Sequence, residues 1–224
     1  MGLATFKDLV IDAGGAARLG RFWADLLGRR LRRQRGGDAE IRGTRPQDTI
    51  WVNRVAEPKT VKHRVHLDVY VRSLADVEAL GATVLRPRGD DRTWTVMADV
   101  EGGEFCAFLK DVPPDDRLPG LVIDSADPVA QAEWWANVFD GTVTHHLPGW
   151  SAVDEVADMP IGTFDFVKVA EPKTVKNRIH WDVTGAVDPL VEAGATVLRA
   201  AGRGLGWSVL ADPEGNEFCV FRRR

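Results

Sequence analysis

The octet Val55-Ala56-Glu57-Pro58-Lys59-Thr60-Val61-Lys62 returns letter for letter from Val169 to Lys176, so the chain must fold in a way that accommodates two copies of one unit. The echo runs on past the octet: Arg64, His66 and Asp68 reappear as Arg178, His180 and Asp182, each 114 positions later. A period of that length in 224 residues is far above the ~20–50 residues of a solenoid repeat and marks a duplicated domain. The copies read as residues 1–111 and 119–224, with a polar, proline-stiffened linker over 112–118 that contains Pro113-Pro114.

Each copy has to supply its own core, and the composition allows it, at 44% hydrophobic and 28% charged residues. The net charge of −4 gives no general drive toward nucleic acid. Splitting at residue 112 leaves +3 (19 basic, 16 acidic) on the first half and −7 (10 basic, 17 acidic) on the second. Much of the basic excess is Arg29, Arg30, Arg32, Arg33 and Arg35, a pattern suited to a solvated strand edge that resists pairing with other chains. No apolar run approaches the ~18–20 residues of a membrane span, and the opening MGLATFKDLV lacks the layout of a signal peptide, so a cytoplasmic location with no membrane partner is expected. Cys106 and Cys219 occupy matching places in the two copies, which leaves each copy one thiol and argues against a structural disulfide.

Hydrophobic periodicity gives the elements. Leu9-Val10-Ile11 reads as a strand, and Leu19, Phe22, Trp23, Leu26 and Leu27 form the apolar stripe of a helix closed by Gly28. In the second copy Leu121-Val122-Ile123 and the stripe Trp134, Trp135, Val138 and Phe139 follow suit, with Asp127-Pro128 as N-cap and first-turn proline. Arg30 to Gln34 and Ile50 to Val55 read as strands, matched by Thr142 to His146, Trp150 to Val153 and Phe164 to Val169. Past the octet the pattern restarts: a strand at Val65 to Val71, a short helix ending at Gly81, then strands near 83–85, 93–98 and 104–109. Copy two repeats this at 179–183, 188–194, 196–198, 207–211 and 217–221, with the turn Asp212-Pro213-Glu214-Gly215-Asn216 before the last strand. The fold class expected is α+β, with four strand–helix–strand–strand–strand modules.

Three stretches carry a resemblance to a known family: Phe22-Trp23-Ala24-Asp25-Leu26-Leu27-Gly28, then Glu57 to Asp68, then Asp212-Pro213-Glu214-Gly215-Asn216-Glu217-Phe218-Cys219. At these separations, and in both copies, the chain resembles the vicinal oxygen chelate superfamily, which includes glyoxalase I, bleomycin-resistance proteins and extradiol dioxygenases. The resemblance implies modules paired into two glyoxalase-like domains whose curled mixed sheets form cups. It also implies metal ligands on the first and last strands of each module, usually His and Glu. At those places this chain offers His66 and His180, but Cys106 and Cys219 stand where Glu is expected. The remaining positions fall near Asp8 and Gly120 and around Trp51 to Asn53 and Asp165 to Val167, with no carboxylate kept in both copies.

Strand alternation, with modules paired inside each copy, predicts a cup face of Asp12, Trp51, Asn53, His66, Asp68, Glu104, Cys106 and Phe108 in copy one. Asp124, Phe166, His180, Asp182, Glu217, Cys219 and Phe221 are the counterparts in copy two. Aromatic walls with a few convergent polar groups suit a small-molecule ligand. Trp94 and Trp207 read either as stacking on a planar ligand or as filling the core, and the core is the expected place. The octet reads as a crossover between modules, or else as a cationic rim of Lys59, Lys62 and Arg64 for an anion. With the coordination sphere degenerate, the first expectation is a tandem binding protein of the resistance type that needs no cofactor. One alternative is a divalent-metal lyase or isomerase of the glyoxalase I type, with His66, Cys106, His180 and Cys219 as weak metal candidates and a carboxylate such as Asp68, Glu104, Asp182 or Glu217 to shuttle the proton, catalytic residues being otherwise undetermined. Another is a non-catalytic interaction module. A monomer or weak homodimer is expected, because four modules make two cups.

Overall fold

The computed structural model describes residues 2–115, 117–146, 149–202 and 204–222, so Asp116 of the linker lies outside the described residues. The first module is β1 (Ala4–Ala13), α1 (Ala16–Leu27), β2 (Arg30–Arg33), β3 (Ala39–Arg42) and β4 (Ile50–Arg54). The second is β5 (Val65–Val71), α2 (Leu74–Ala79), β6 (Thr83–Arg86), β7 (Thr95–Ala98) and β8 (Glu104–Leu109). The third is β9 (Gly120–Ser125), α3 (Pro128–Phe139), β10 (Thr142–His146), β11 (Trp150–Asp154) and β12 (Thr163–Lys168). The fourth is β13 (Ile179–Gly185), α4 (Val187–Glu192), β14 (Thr196–Arg199), β15 (Ser208–Ala211) and β16 (Glu217–Phe221). The expected α+β class with four modules is observed. Between the expected strands Arg30 to Gln34 and Ile50 to Val55 lies a further strand, β3, with Glu40 buried.

The modules do not pair inside their own copies. One mixed sheet of eight strands has the order β14-β15-β16-β13-β1-β4-β3-β2, joining module one to module four. The other, β10-β11-β12-β9-β5-β8-β7-β6, joins module three to module two. Both junctions are antiparallel, Val10 opposite His180 and His66 opposite Val122. Each cup is therefore shared between the copies, and the expected grouping of Asp12, Trp51 and Asn53 with His66 and Cys106 is corrected. The octets follow from this: each is the crossover from one sheet to the other, residues 55–62 from β4 to β5 and 169–176 from β12 to β13. Two identical segments do the same task at equivalent places.

The core lies between the helix-bearing faces of the two sheets. From α1, Trp23 packs edge-on against Phe105 of β8 at 5.3 Å, while the same helix lies on β3 and β4 of the other sheet. From α3, Trp135 meets Phe164 of β12 at 5.4 Å and Trp181 and Phe218 of the opposite sheet at 5.0 and 5.1 Å. Burying each of these rings contributes on the order of 2–3 kcal/mol. Gly28 closes α1 at φ 66°, the left-handed conformation that a Cβ disfavours. No helix among the described residues is long and apolar enough to cross a membrane.

Candidate functional site

On β5 the alternation is strict: Val65, Leu67 and Val69 are buried in the core, and His66, Asp68 and Tyr70 point to the opposite, concave face. The parallel neighbour β8 sets Cys106 beside Asp68 in register. These pairings bring His66, Asp68 and Cys106 together with ligand atoms all within 4.8 Å of one another. β13 and β16 build the same cluster from His180, Asp182 and Cys219. In the first cluster the His66 Nε2 lies 3.4 Å from the Cys106 Sγ and 3.6 Å from the Asp68 Oδ1. The Asp68 Oδ1, the Asp182 Oδ1 and the His180 Nδ1 are buried without a hydrogen-bond partner among the described residues.

The other half of each cup comes from the other copy, and there the two differ. Asp182 faces Asp8 across β1, whereas Asp68 faces Gly120 across β9. A Cβ on Gly120 would lie 2.8 Å from the Asp165 Oδ2 and 3.5 Å from the Asp68 Oδ2, so the bare glycine makes room for both carboxyl groups. Each cup thus keeps one carboxyl from the partner copy, on β1 in one case and β12 in the other. An indole serves each: Trp51 Nε1 donates to the Asp8 Oδ2 at 3.3 Å, and Trp150 Nε1 to the Asp165 Oδ1 at 2.9 Å. Lys7 is peculiar to the first of these cups. It pairs with Asp8, reaches within 3.9 Å of Asp182 and lies 4.3 Å over the Phe221 ring. A cavity of about 910 Å³ opens at this end of the cup, lined in part by Lys7, Asp8, Glu40, Trp51 and Thr184.

Burial sets the protonation states. Desolvation, helped by Lys62 and His63, pushes the His66 imidazolium down to about 3, and His180 falls to about 4 for the same first reason. Desolvation, with Asp165 nearby, raises the Asp68 carboxyl to about 7, and burial carries Asp182 to about 7 against the pull of Lys7. Burial and the adjacent Asp182 push the Cys219 thiol up to about 12, and Cys106 is raised by the same pair of causes. Near pH 7 each cluster holds a neutral imidazole, a neutral thiol and a carboxyl that burial holds far above its ordinary range.

An imidazole nitrogen, a sulfur and a carboxylate oxygen within 4.8 Å form a donor mix that suits a borderline cation such as Zn²⁺, and the partnerless Asp68 Oδ1 is a free ligand atom. The residues fit such an ion, although binding it requires displacing the raised thiol proton.

Other residues expected on the cup face have other tasks. Glu104 accepts from the Lys59 ammonium at 3.0 Å and from the His63 amide at 2.9 Å. Glu217 accepts from Lys173 at 2.7 Å and from the Asn177 amide at 3.1 Å. Both glutamates tether the octet ends. Asp124 pairs with Lys62 at 2.7 Å and Asp12 with Lys176, so these two carboxylates meet the crossovers rather than the clusters. Asn53 is half-buried beside Asp12 in the β1–β4 register. Phe166 is corrected: it is fully buried on the helix side, edge-on to Phe164 at 5.2 Å, and Asp165 is the cup-facing neighbour. A one-residue slip in matching the copies exchanges the two faces. Trp94 and Trp207 are also corrected, being half-buried and stacked on Phe108 and Phe221 at 5.7 and 5.3 Å rather than in the core. Lys7, Trp150 and the facing role of Asp165 escape sequence reasoning, because they depend on which module faces which.

Comparison with known proteins fits this geometry. The family model described as a glyoxalase-like domain matches residues 8–108 and again 120–221. Among solved structures, glyoxalase I from Zea mays aligns over 97% of this chain and 92% of its own, with 12% identity and a TM-score of 0.67. A putative dioxygenase from Bacillus subtilis aligns over 99% and 86%, with 14% identity and a TM-score of 0.66. At these identities the likeness shows the fold. A search of curated proteins found no match.

Proposed function

Because the chain belongs to the glyoxalase-like domain family in both of its copies, we propose that it binds small polar organic molecules in its two cups, one at each His–Asp–Cys cluster, without requiring a metal ion. The observation that carries this reading is the buried, partnerless carboxyl oxygen in each cup, the Oδ1 of Asp68 and of Asp182. A buried acceptor left unpaired costs about 1–3 kcal/mol, and a ligand hydroxyl or N–H that donates to it recovers that cost. The rest of the cluster supports a ligand of low charge, since a neutral imidazole and a thiol add hydrogen-bonding groups and no field. Trp94 on Phe108 and Trp207 on Phe221 supply aromatic walls. The protein then acts by sequestering its ligand, in the cytoplasm, where Cys106 and Cys219 stay reduced.

A second reading rests on the convergence of three unlike donors within 4.8 Å in both cups. There His66, Asp68 and Cys106, and likewise His180, Asp182 and Cys219, hold a divalent cation, which supplies Lewis-acid polarisation of a bound carbonyl. Asp165 and Asp8, facing from the other copy, are then the groups placed to move a proton.

A thermal-shift screen of polar small molecules tests the first reading. A ligand present at 100 times its Kd adds about 2.7 kcal/mol of stability per occupied cup, and Asp68→Asn with Asp182→Asn should abolish the shift. If no compound raises the melting temperature, and protein purified without chelator carries about one zinc per cup that Cys106→Ser with Cys219→Ser removes, the second reading replaces the first.

A further inference from the structure

The crossovers enclose a space that the cups do not use. The two octets face each other across a cavity of about 1190 Å³, and none of the six cluster residues lines it. Reciprocal bonds frame it: Arg64 donates to the Glu171 carbonyl and Arg178 to the Glu57 carbonyl, each at 2.6 Å. The walls are apolar where Val55, Pro58, Val61, Pro172 and Val175 meet the space. Five cations line it, Lys59, Lys62, Arg64, Lys176 and Arg178, against the four carboxylates of Asp12, Glu57, Asp124 and Glu171. Lys59, Lys62 and Lys176 are each paired with one carboxylate, Glu104, Asp124 and Asp12.

Two of these ammonium groups are reachable. The Lys62 and Lys176 side chains are 60% and 57% exposed, and each ammonium, with three N–H donors, meets a single carboxylate, Asp124 or Asp12. Two further donors or acceptors in the same wall, the Arg64 Nε and the His63 Nδ1, are buried without a partner among the described residues. An apolar-walled chamber of this size with two reachable ammonium groups and spare N–H donors selects an organic anion with an apolar body over an inorganic ion or a neutral sugar.

We propose that this central cleft is a second ligand site, separate from the cups, for an apolar organic monoanion whose acidic group is held by Lys62 or Lys176 and whose body rests on the valine and proline walls. The near-identity of the two crossovers gives the ligand two almost equivalent orientations. The site stands whether or not the cups bind anything.

Anilinonaphthalene sulfonate, an aromatic monoanion that fluoresces when desolvated, is the probe. Titrated into the full chain under native conditions, it should show a saturable enhancement at one molecule per chain. Lys62→Met with Lys176→Met should weaken its Kd at least tenfold. Removing these lysines also strips Asp124 and Asp12 of their partners, so a second pair, Val61→Glu with Val175→Glu at two exposed positions, should weaken it equally while near-ultraviolet circular dichroism stays native. Asp68→Asn with Asp182→Asn should leave the Kd unchanged. No saturable enhancement, an unchanged Kd in the folded Val61→Glu/Val175→Glu variant, or loss of binding in the cup variant instead would each overturn the proposal.

Discussion

Asp68 and Asp182 carry a strong electrical signature. Their carboxyls are raised to about 7 from an ordinary 3.8, chiefly by burial, so the folded chain holds protons that the unfolded chain has lost. Their contribution to stability is complete below pH 4 and is lost as pH rises toward 7. His66 and His180 act in the opposite sense: their depressed values penalise the folded state below about pH 6.5 and not above it. Replacing Asp68 and Asp182 by Asn removes the first dependence alone. Urea unfolding measured from pH 4 to 8 should show the variant gaining stability on the wild type as pH rises and the gain levelling near pH 7. A constant difference across that range would mean that these carboxyls ionise normally. The residues of this cluster were legible in the sequence, because strict alternation on β5 and β13 fixes their face. Their partnership with Asp8 and Asp165 was not, since it depends on a strand from the other copy.

The helices α1 and α3 show how much an element owes to its own sequence. α3 has the local cap expected from Asp127-Pro128, with the Asp127 Oδ1 accepting from the Ala130 amide at 3.2 Å. α1 begins at Gly15 with no cap of its own, and its first free amides are taken by Glu101 from the turn before β8, at 2.9 Å to Gly14 and 2.6 Å to Gly15. Glu214 repeats this at α3, accepting from Ala126 and Asp127 at 3.0 and 2.7 Å. A carboxylate at a helix N-terminus contributes about 1–2 kcal/mol where no other cap exists. Glu101→Ala should therefore lower stability by that amount and Glu214→Ala by less, as chemical denaturation would show. Equal losses would mean that Asp127 adds nothing. The turn Asp-Pro-Glu-Gly-Asn was readable as a turn; its glutamate as a helix cap was not, because 87 residues separate Glu214 from Asp127 at the start of α3.

At the scale of the molecule, the duplication seen in the octet predicted two cups, and two eight-stranded sheets are there. What a sequence of two like halves cannot specify is which modules pair, because identical units satisfy the hydrophobic pattern in either arrangement. The crossed arrangement puts an inter-copy strand junction in both sheets, β1 with β13 and β9 with β5, and α3 binds the sheets together through Trp135. It also explains why the octets are identical: both are crossovers at equivalent positions, each pinned by the arginine that follows the other. Each half thus supplies part of both cups, and neither half completes one. A protease site placed between Pro114 and Asp115 cuts the only covalent link between the copies. After cleavage the two fragments should still migrate together on size exclusion as a particle of about 24.7 kDa, and should part only in denaturant. Fragments that separate under native conditions into folded species of half that mass would contradict shared cups.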